Sequence, residues 1–267
     1  MSIAKEYGCA LYRSDLATTD VFYCGTEYEI EGIKKVQLPG FDPHCAFNDE
    51  TPYWIDDIGL MKDGSLRNNG IEFVTRPVTY ERSLELFAYL HDNLILGENP
   101  YSHRTSTHVH VNVASMSLEQ IRAFILMYAL VEPVFFSLTP GREHNIHCVP
   151  LNYTLLPTMY SQPISFIIDK WSKYTAFNLL PMISIGTIEF RHLYGTGDYQ
   201  VYKQWLTLLR ELWTAAKTLP YSILHDWVVQ GVSYQTMRNT ILPSAWNIVV
   251  PEEQQQTALI DVKLAFV

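Results

Sequence analysis

The segment Thr107-His108-Val109-His110-Val111-Asn112-Val113 constrains the fold more than any other part of the sequence. Polar and apolar residues alternate through it without a break, which is the two-residue period of a β-strand. His108, His110 and Asn112 therefore share one face and three valines the other. The valines are expected to meet helices and the polar set to face water. Three further segments repeat the pattern. Residues 22–32 alternate Glu27, Glu29 and Glu31 with Tyr28 and Ile30, which puts three carboxylates on one face. Ile71-Glu72-Phe73-Val74-Thr75 follows an Asp63-Gly64-Ser65 turn and is closed by Pro77, and Thr187-Ile188-Glu189-Phe190-Arg191 is the last.

Helices are expected between these strands. Leu84, Phe87, Leu90 and Leu94 recur at helical spacing within residues 81–96. Ser117 with Gln120 forms a capping box that opens a long apolar helix to about Leu138, bent or broken near Pro133. Asp198 can cap a helix that runs to about Leu219. Residues 34–54 and 140–163 read as loops, the first with room for a short strand. The expected organisation is one main domain, residues 1–219, and a C-terminal helical extension, residues 220–267, packed on it.

Composition narrows the function classes. With 267 residues, 48% of them hydrophobic, the chain can bury a core without disulfide or metal staples. Its net charge of −9 argues against a protein that grips nucleic-acid phosphates. Cys9, Cys24, Cys45 and Cys148 form no CxxC pair, which suits reduced thiols in a cytoplasmic compartment. Lys5, Glu6 and Arg13 precede any apolar run, so no secretory signal is expected. The apolar run Phe124–Val131 is far short of the roughly 20 residues that span a bilayer, so no membrane partner is expected.

Taken singly, each polar group has an ordinary reading. Glu27, Glu29 and Glu31 could be an exposed edge, His108 and His110 a hydrogen-bonded pair, Glu189 and Arg191 a same-face ion pair, and Glu72 a solvated position. Together, four strands that aim acids, imidazoles and a guanidinium away from an apolar face describe a site built on a sheet. Like charges crowded on one face favour a cation. Carboxylate oxygens with one or two imidazoles suit Mg²⁺ or Mn²⁺ better than zinc. Several acids, two such metals and an arginine suit phosphoryl transfer, yet the chain has no GxxxxGK[ST] phosphate loop.

The residues that carry a family likeness are Gly25-Thr26-Glu27-Tyr28-Glu29, Asp63-Gly64-Ser65-Leu66 with Gly70-Ile71-Glu72-Phe73-Val74-Thr75 and Pro77, Thr107-His108-Val109-His110-Val111, Tyr174 with Asn178, and Gly186-Thr187-Ile188-Glu189-Phe190-Arg191. In this order and at these separations they resemble the amidoligase family, within the superfamily of glutamine synthetase and glutamate-cysteine ligase. Lys173 departs from the arginine expected before Tyr174. The resemblance implies an α+β fold, a curved and mainly antiparallel sheet with helices on one face, like the glutamine synthetase catalytic domain. It implies an ATP-dependent ligase that joins a carboxylate to an amine through an acyl-phosphate, with small-molecule or peptide and protein substrates, in the cytoplasm of bacteria or phage-infected cells. Glu29, Asp63 and Glu72 would hold one metal, and Glu27, His108 and Glu189 the other. His110 and Asn178 would approach the nucleotide, and Arg191 the transferring phosphoryl group.

Two rivals stand beside this reading. His108-x-His110 alone suggests a metal-dependent hydrolase, although the eight strand-helix units of an amidohydrolase barrel are not visible. A catalytically silent relative that binds or assembles is the other.

Overall fold

A computed structural model describes residues 1–42, 44, 50–151 and 162–264. Cys45 and residues 152–161 lie outside them, and Cys9, Cys24 and Cys148 are free thiols. In chain order the elements are α1 (Ile3–Tyr7), β1 (Tyr23–Ile30), β2 (Ile33–Val36), β3 (Tyr53–Ile55), β4 (Ile58–Met61), β5 (Ile71–Thr75), β6 (Val78–Thr79), α2 (Tyr80–Asp92), β7 (Leu94–Leu96) and β8 (Ser106–Asn112). There follow α3 (Leu118–Leu138), α4 (Ile164–Asp169), β9 (Phe177–Asn178), α5 (Pro181–Ile185), β10 (Thr187–Tyr194), α6 (Tyr199–Thr218), α7 (Tyr221–Val229), α8 (Tyr234–Ile241) and α9 (Glu252–Leu264).

The fold is α+β. Strand pairing runs β3-β4-β5-β1-β8-β10-β9, with β6 beside β1, and β2 pairs separately with β7. The neighbours β3/β4, β4/β5, β5/β1, β6/β1 and β9/β10 are antiparallel. The chain divides into two compact units, one of residues 23–110 and 193–206, the other of residues 1–22, 111–192 and 207–267.

In the first unit the alternation of β1 sorts its side chains as the strand period requires. Cys24, Thr26 and Tyr28 are buried on one face. Tyr28 packs edge-on against Phe87 of α2 and Tyr202 of α6, and Phe87 stacks on Tyr202 at 4.4 Å. The Tyr202 hydroxyl joins those of Thr26, Tyr28 and Ser83, so this aromatic layer has no stranded phenol. Thr79 caps α2 by accepting from the Arg82 amide. The helix ends at Asp92, before the expected Leu96, and Leu94 enters β7 opposite Val36 instead of continuing the helical stripe.

In the second unit α3 is the central helix. Ser117 accepts from the Gln120 amide while the Gln120 side chain accepts from the Ser117 amide, the reciprocal cap expected. The helix continues through Pro133 to Leu138 and is not broken there. At 21 residues it is, among the described residues, the one helix long and apolar enough to cross a membrane, but most of that stretch is buried inside the protein. Phe124, Tyr128 and Phe135 pack on Phe190 of β10. Asp198 caps α6 by accepting from the Gln200 and Val201 amides.

Candidate metal and phosphoryl-transfer site

In the first unit, antiparallel pairing sets Glu29 of β1 directly opposite Glu72 of β5. The next strand places Met61 beside Glu72, and Asp63 follows two residues later. Asp63 spends one carboxylate oxygen on the Ser65 amide at 2.7 Å, an Asx turn, and its charge also acts on Glu29. Like charges directly opposed on a sheet destabilise it, so Glu29, Asp63 and Glu72 form a group that a cation would relieve.

Glu27 lies two residues before Glu29 on the same face and meets both histidines of β8. His108 Nδ1 lies 3.1 Å from one of its carboxylate oxygens and His110 Nε2 3.1 Å from the other. Burial pushes the Glu27 carboxyl up, but the two imidazoles outweigh it and hold the group well below the usual carboxylate range. Glu29 accepts from both the Ser106 amide and the Ser106 hydroxyl at 2.7 Å. The same hydroxyl lies 2.9 Å from His108 Nε2. Burial raises the Glu29 carboxyl; His108 and Ser106 offset this in part, and Asp63 adds to it.

Glu27, His108, Ser106 and Glu29 thus form one continuous chain of hydrogen-bonding side chains.

Part of this face is dry: Glu29 is 9% and His108 6% exposed, which corrects the expectation of a wholly water-facing polar set, while the Glu27 and His110 side chains stay partly open. Glu31 also departs from expectation, because β1 ends at Ile30. Its carboxylate turns to the Arg67 amide at 2.8 Å, a structural bond.

In the second unit, β9 and β10 set Asn178 opposite Glu189. The Asn178 amide donates to one Glu189 oxygen at 2.7 Å and its carbonyl accepts from the Leu180 amide. The Arg191 guanidinium pairs with the other Glu189 oxygen, and its Nε donates to the His147 carbonyl at 3.2 Å. Glu189 is thus held on both oxygens. Arg142, which is 4% exposed, donates to the backbone carbonyls of Arg191 at 2.7 Å and His192 at 2.9 Å, fixing β10 where the arginine leaves it.

Sequence reasoning missed Ser106, Arg142 and the service of Asn178 to Glu189. Ser106 shares the parity of His108 and His110 and was within reach of the pattern. Arg142 sits in a 3₁₀ turn after α3, and nothing in its neighbourhood signals a buried guanidinium. Arg76 stacks on the Trp54 ring at 4.0 Å.

No curated protein matches the chain. Residues 33–213 match a family model described as "Putative amidoligase enzyme". The match takes in Asp63, Glu72, His108, His110, Asn178, Glu189 and Arg191, while Glu27 and Glu29 precede it. Covering about two thirds of the sequence, it shows that the chain belongs to the amidoligase family, a family of amide-bond-forming ligases.

Proposed function

We propose that this amidoligase is an ATP-dependent carboxylate-amine ligase that works through an acyl-phosphate with two divalent cations, Mg²⁺ or Mn²⁺. The observation that carries the reading is the register of Glu29 against Glu72, with Asp63 close enough to act on Glu29. Acids set opposite each other on paired strands favour a cation between them, and the donor set is hard oxygen with few imidazoles, which fits these two ions. Glu29, Asp63 and Glu72 would serve one cation and Glu27, His108 and Glu189 the other. When bound, the cations offset the charge that accumulates as a carboxylate attacks a polyphosphate.

The chain's own groups do the rest. Arg191, a planar fork braced by Glu189 and the His147 carbonyl, would stabilise charge that grows on the transferring phosphoryl group. Asn178 fixes the Glu189 carboxylate, and His110 and Asn178 would approach the nucleotide. The substrates are a small-molecule, peptide or protein carboxylate and an amine, the setting is the cytoplasm, and the sheet belongs with that of glutamine synthetase. Residues 1–219 would form the catalytic part.

The test is Arg191→Lys. Thermal stability, affinity for a non-hydrolysable ATP analogue with Mg²⁺, and ADP release with candidate acids and amines are measured on one preparation. The expected variant melts like wild type, binds nucleotide within a few-fold and loses on the order of 10³-fold in turnover. Retained turnover would demote Arg191 to a partner of Glu189. Wild-type protein that cleaves amides without ATP would be a hydrolase, and one that releases no ADP with any acid would be a silent relative.

A further inference from the structure

Glu31 is 3% exposed, and among the described residues the hydrogen bond to its carboxylate comes from a backbone group, the Arg67 amide at 2.8 Å. A carboxylate taken out of water for one backbone partner costs more than an apolar side chain in its place. The bond therefore calls for a reason beyond filling space, and that reason lies in the segment to which Arg67 belongs.

β4 and β5 are antiparallel neighbours with Met61 opposite Glu72, and residues 62–70 connect them as two consecutive turns. In the first the Leu66 amide donates to the Asp63 carbonyl at 3.2 Å. In the second the Gly70 amide donates to the Arg67 carbonyl at 2.9 Å, with Asn68 and Asn69 both at positive φ, 52° and 58°, as in a type I′ turn. A Cβ on Gly70 would lie 2.6 Å from that of Leu66, so the two turns press on each other. Asp63 opens the first turn, and Glu31 holds the first residue of the second. Gly32 holds that turn again, its amide donating to the Asn68 carbonyl at 2.9 Å. The anchor is itself fixed from another segment: the Glu31 amide donates to the Pro100 carbonyl at 2.9 Å, and the Gly32 carbonyl accepts from the Gly97 amide at 2.7 Å.

We propose that Glu31 is a positioning residue for the ligase: through the Arg67 amide it sets the two turns and so holds the Asp63 carboxylate where it joins Glu29 and Glu72 around a cation. The inference rests on the reading of those three acids as a cation's ligands. It adds a further acid that acts by its reach and not by its charge.

The experiment uses the full chain with Mn²⁺ as the probe. Amide hydrogen exchange over residues 62–70 is followed without metal, and Mn²⁺ affinity is read from the paramagnetic resonance signal of the free ion. Wild type is compared with Glu31→Gln, Glu31→Asp, Asp63→Asn and the double variant Glu31→Asp/Asp63→Asn. Glutamine keeps an oxygen at the same reach, so Glu31→Gln should keep the turns protected and bind Mn²⁺ within a few-fold of wild type. Aspartate keeps the charge but falls one methylene short of the Arg67 amide. Glu31→Asp should speed exchange in the turns and weaken the binding of one Mn²⁺ about tenfold. In the Asp63→Asn background the same change should weaken Mn²⁺ no further, because its effect passes through Asp63. Glu31→Ala, which removes the acceptor outright, repeats the comparison if Glu31→Asp proves unstable. Unchanged affinity in Glu31→Asp, an equal loss in Glu31→Gln, or additive losses in the double variant would each overturn the proposal and leave the cation reading in place. Wild-type protein that binds no Mn²⁺ would overturn that reading and the proposal with it.

Discussion

At the scale of single residues, this site sets acids on paired strands and brings two imidazoles to one of them. Glu27 meets His108 and His110, whereas Glu29 stands opposite Glu72 in the ladder and accepts from the Ser106 amide and hydroxyl. Glu72→Gln removes one of two charges set opposite each other and should change the stability of the metal-free protein by less than about 1 kcal/mol. It should also abolish most of the rise in melting temperature produced by millimolar Mg²⁺ in the wild type. Melting curves with and without Mg²⁺ check both, and a variant that keeps the full metal-dependent rise would remove Glu72 from the cation's ligands. Ser106→Ala leaves the Glu29 and His108 side chains without their shared hydroxyl and should cost about 1–3 kcal/mol in denaturant unfolding. A cost near zero would mean that the hydroxyl is replaceable by solvent.

At the scale of elements, strands position the site and helices hold the strands. β10 sets Phe190 and His192 against Tyr128 of α3 and pairs Glu189 with Arg191 at the intervening positions, so one strand alternates between an ion pair and core. α3 is in turn fixed at its start by a box that also reaches α6, since the Gln120 side chain donates to the Lys217 carbonyl at 3.0 Å. Ser117→Ala should cost about 1 kcal/mol. Gln120→Ala should cost more than the cap alone, and the double variant less than the sum, because both side chains belong to one network. Additive costs in equilibrium unfolding would show the two bonds to be independent.

For the whole molecule, the informative variable is pH. His192 is fully buried; burial first, and then the Arg142 charge, hold its imidazole well below the ordinary value. The unfolded chain binds its proton near pH 6.5 while the folded chain does not. The contribution of His192 is thus fully present above about pH 6.5 and is lost as pH falls below it, by about 1.4 kcal/mol per pH unit down to the folded value. His192→Gln should flatten the dependence of stability between about pH 6.5 and 5 by one proton relative to wild type. Equal slopes in the two proteins would show that His192 takes up its proton without unfolding.

The sequence by itself determined which side chains share a face, because strand parity is a local property fixed by the backbone. Glu27 with Glu29, His108 with His110, and Glu189 with Arg191 were all legible from alternation, as were the caps at Ser117 and Asp198. Nothing local reveals which strands become neighbours. Only the tertiary structure decided that Glu29 would stand against Glu72, that Ser106 would join His108 to Glu29, and that Arg142 would clamp the backbone at Arg191. It likewise buried Glu29 and His108 on a face that alternation alone leaves wet, ended β1 before Glu31 and carried α3 through Pro133. These are outcomes of long-range pairing and packing, in which the free energy of burial overrides the preference of each residue taken with its neighbours in the chain.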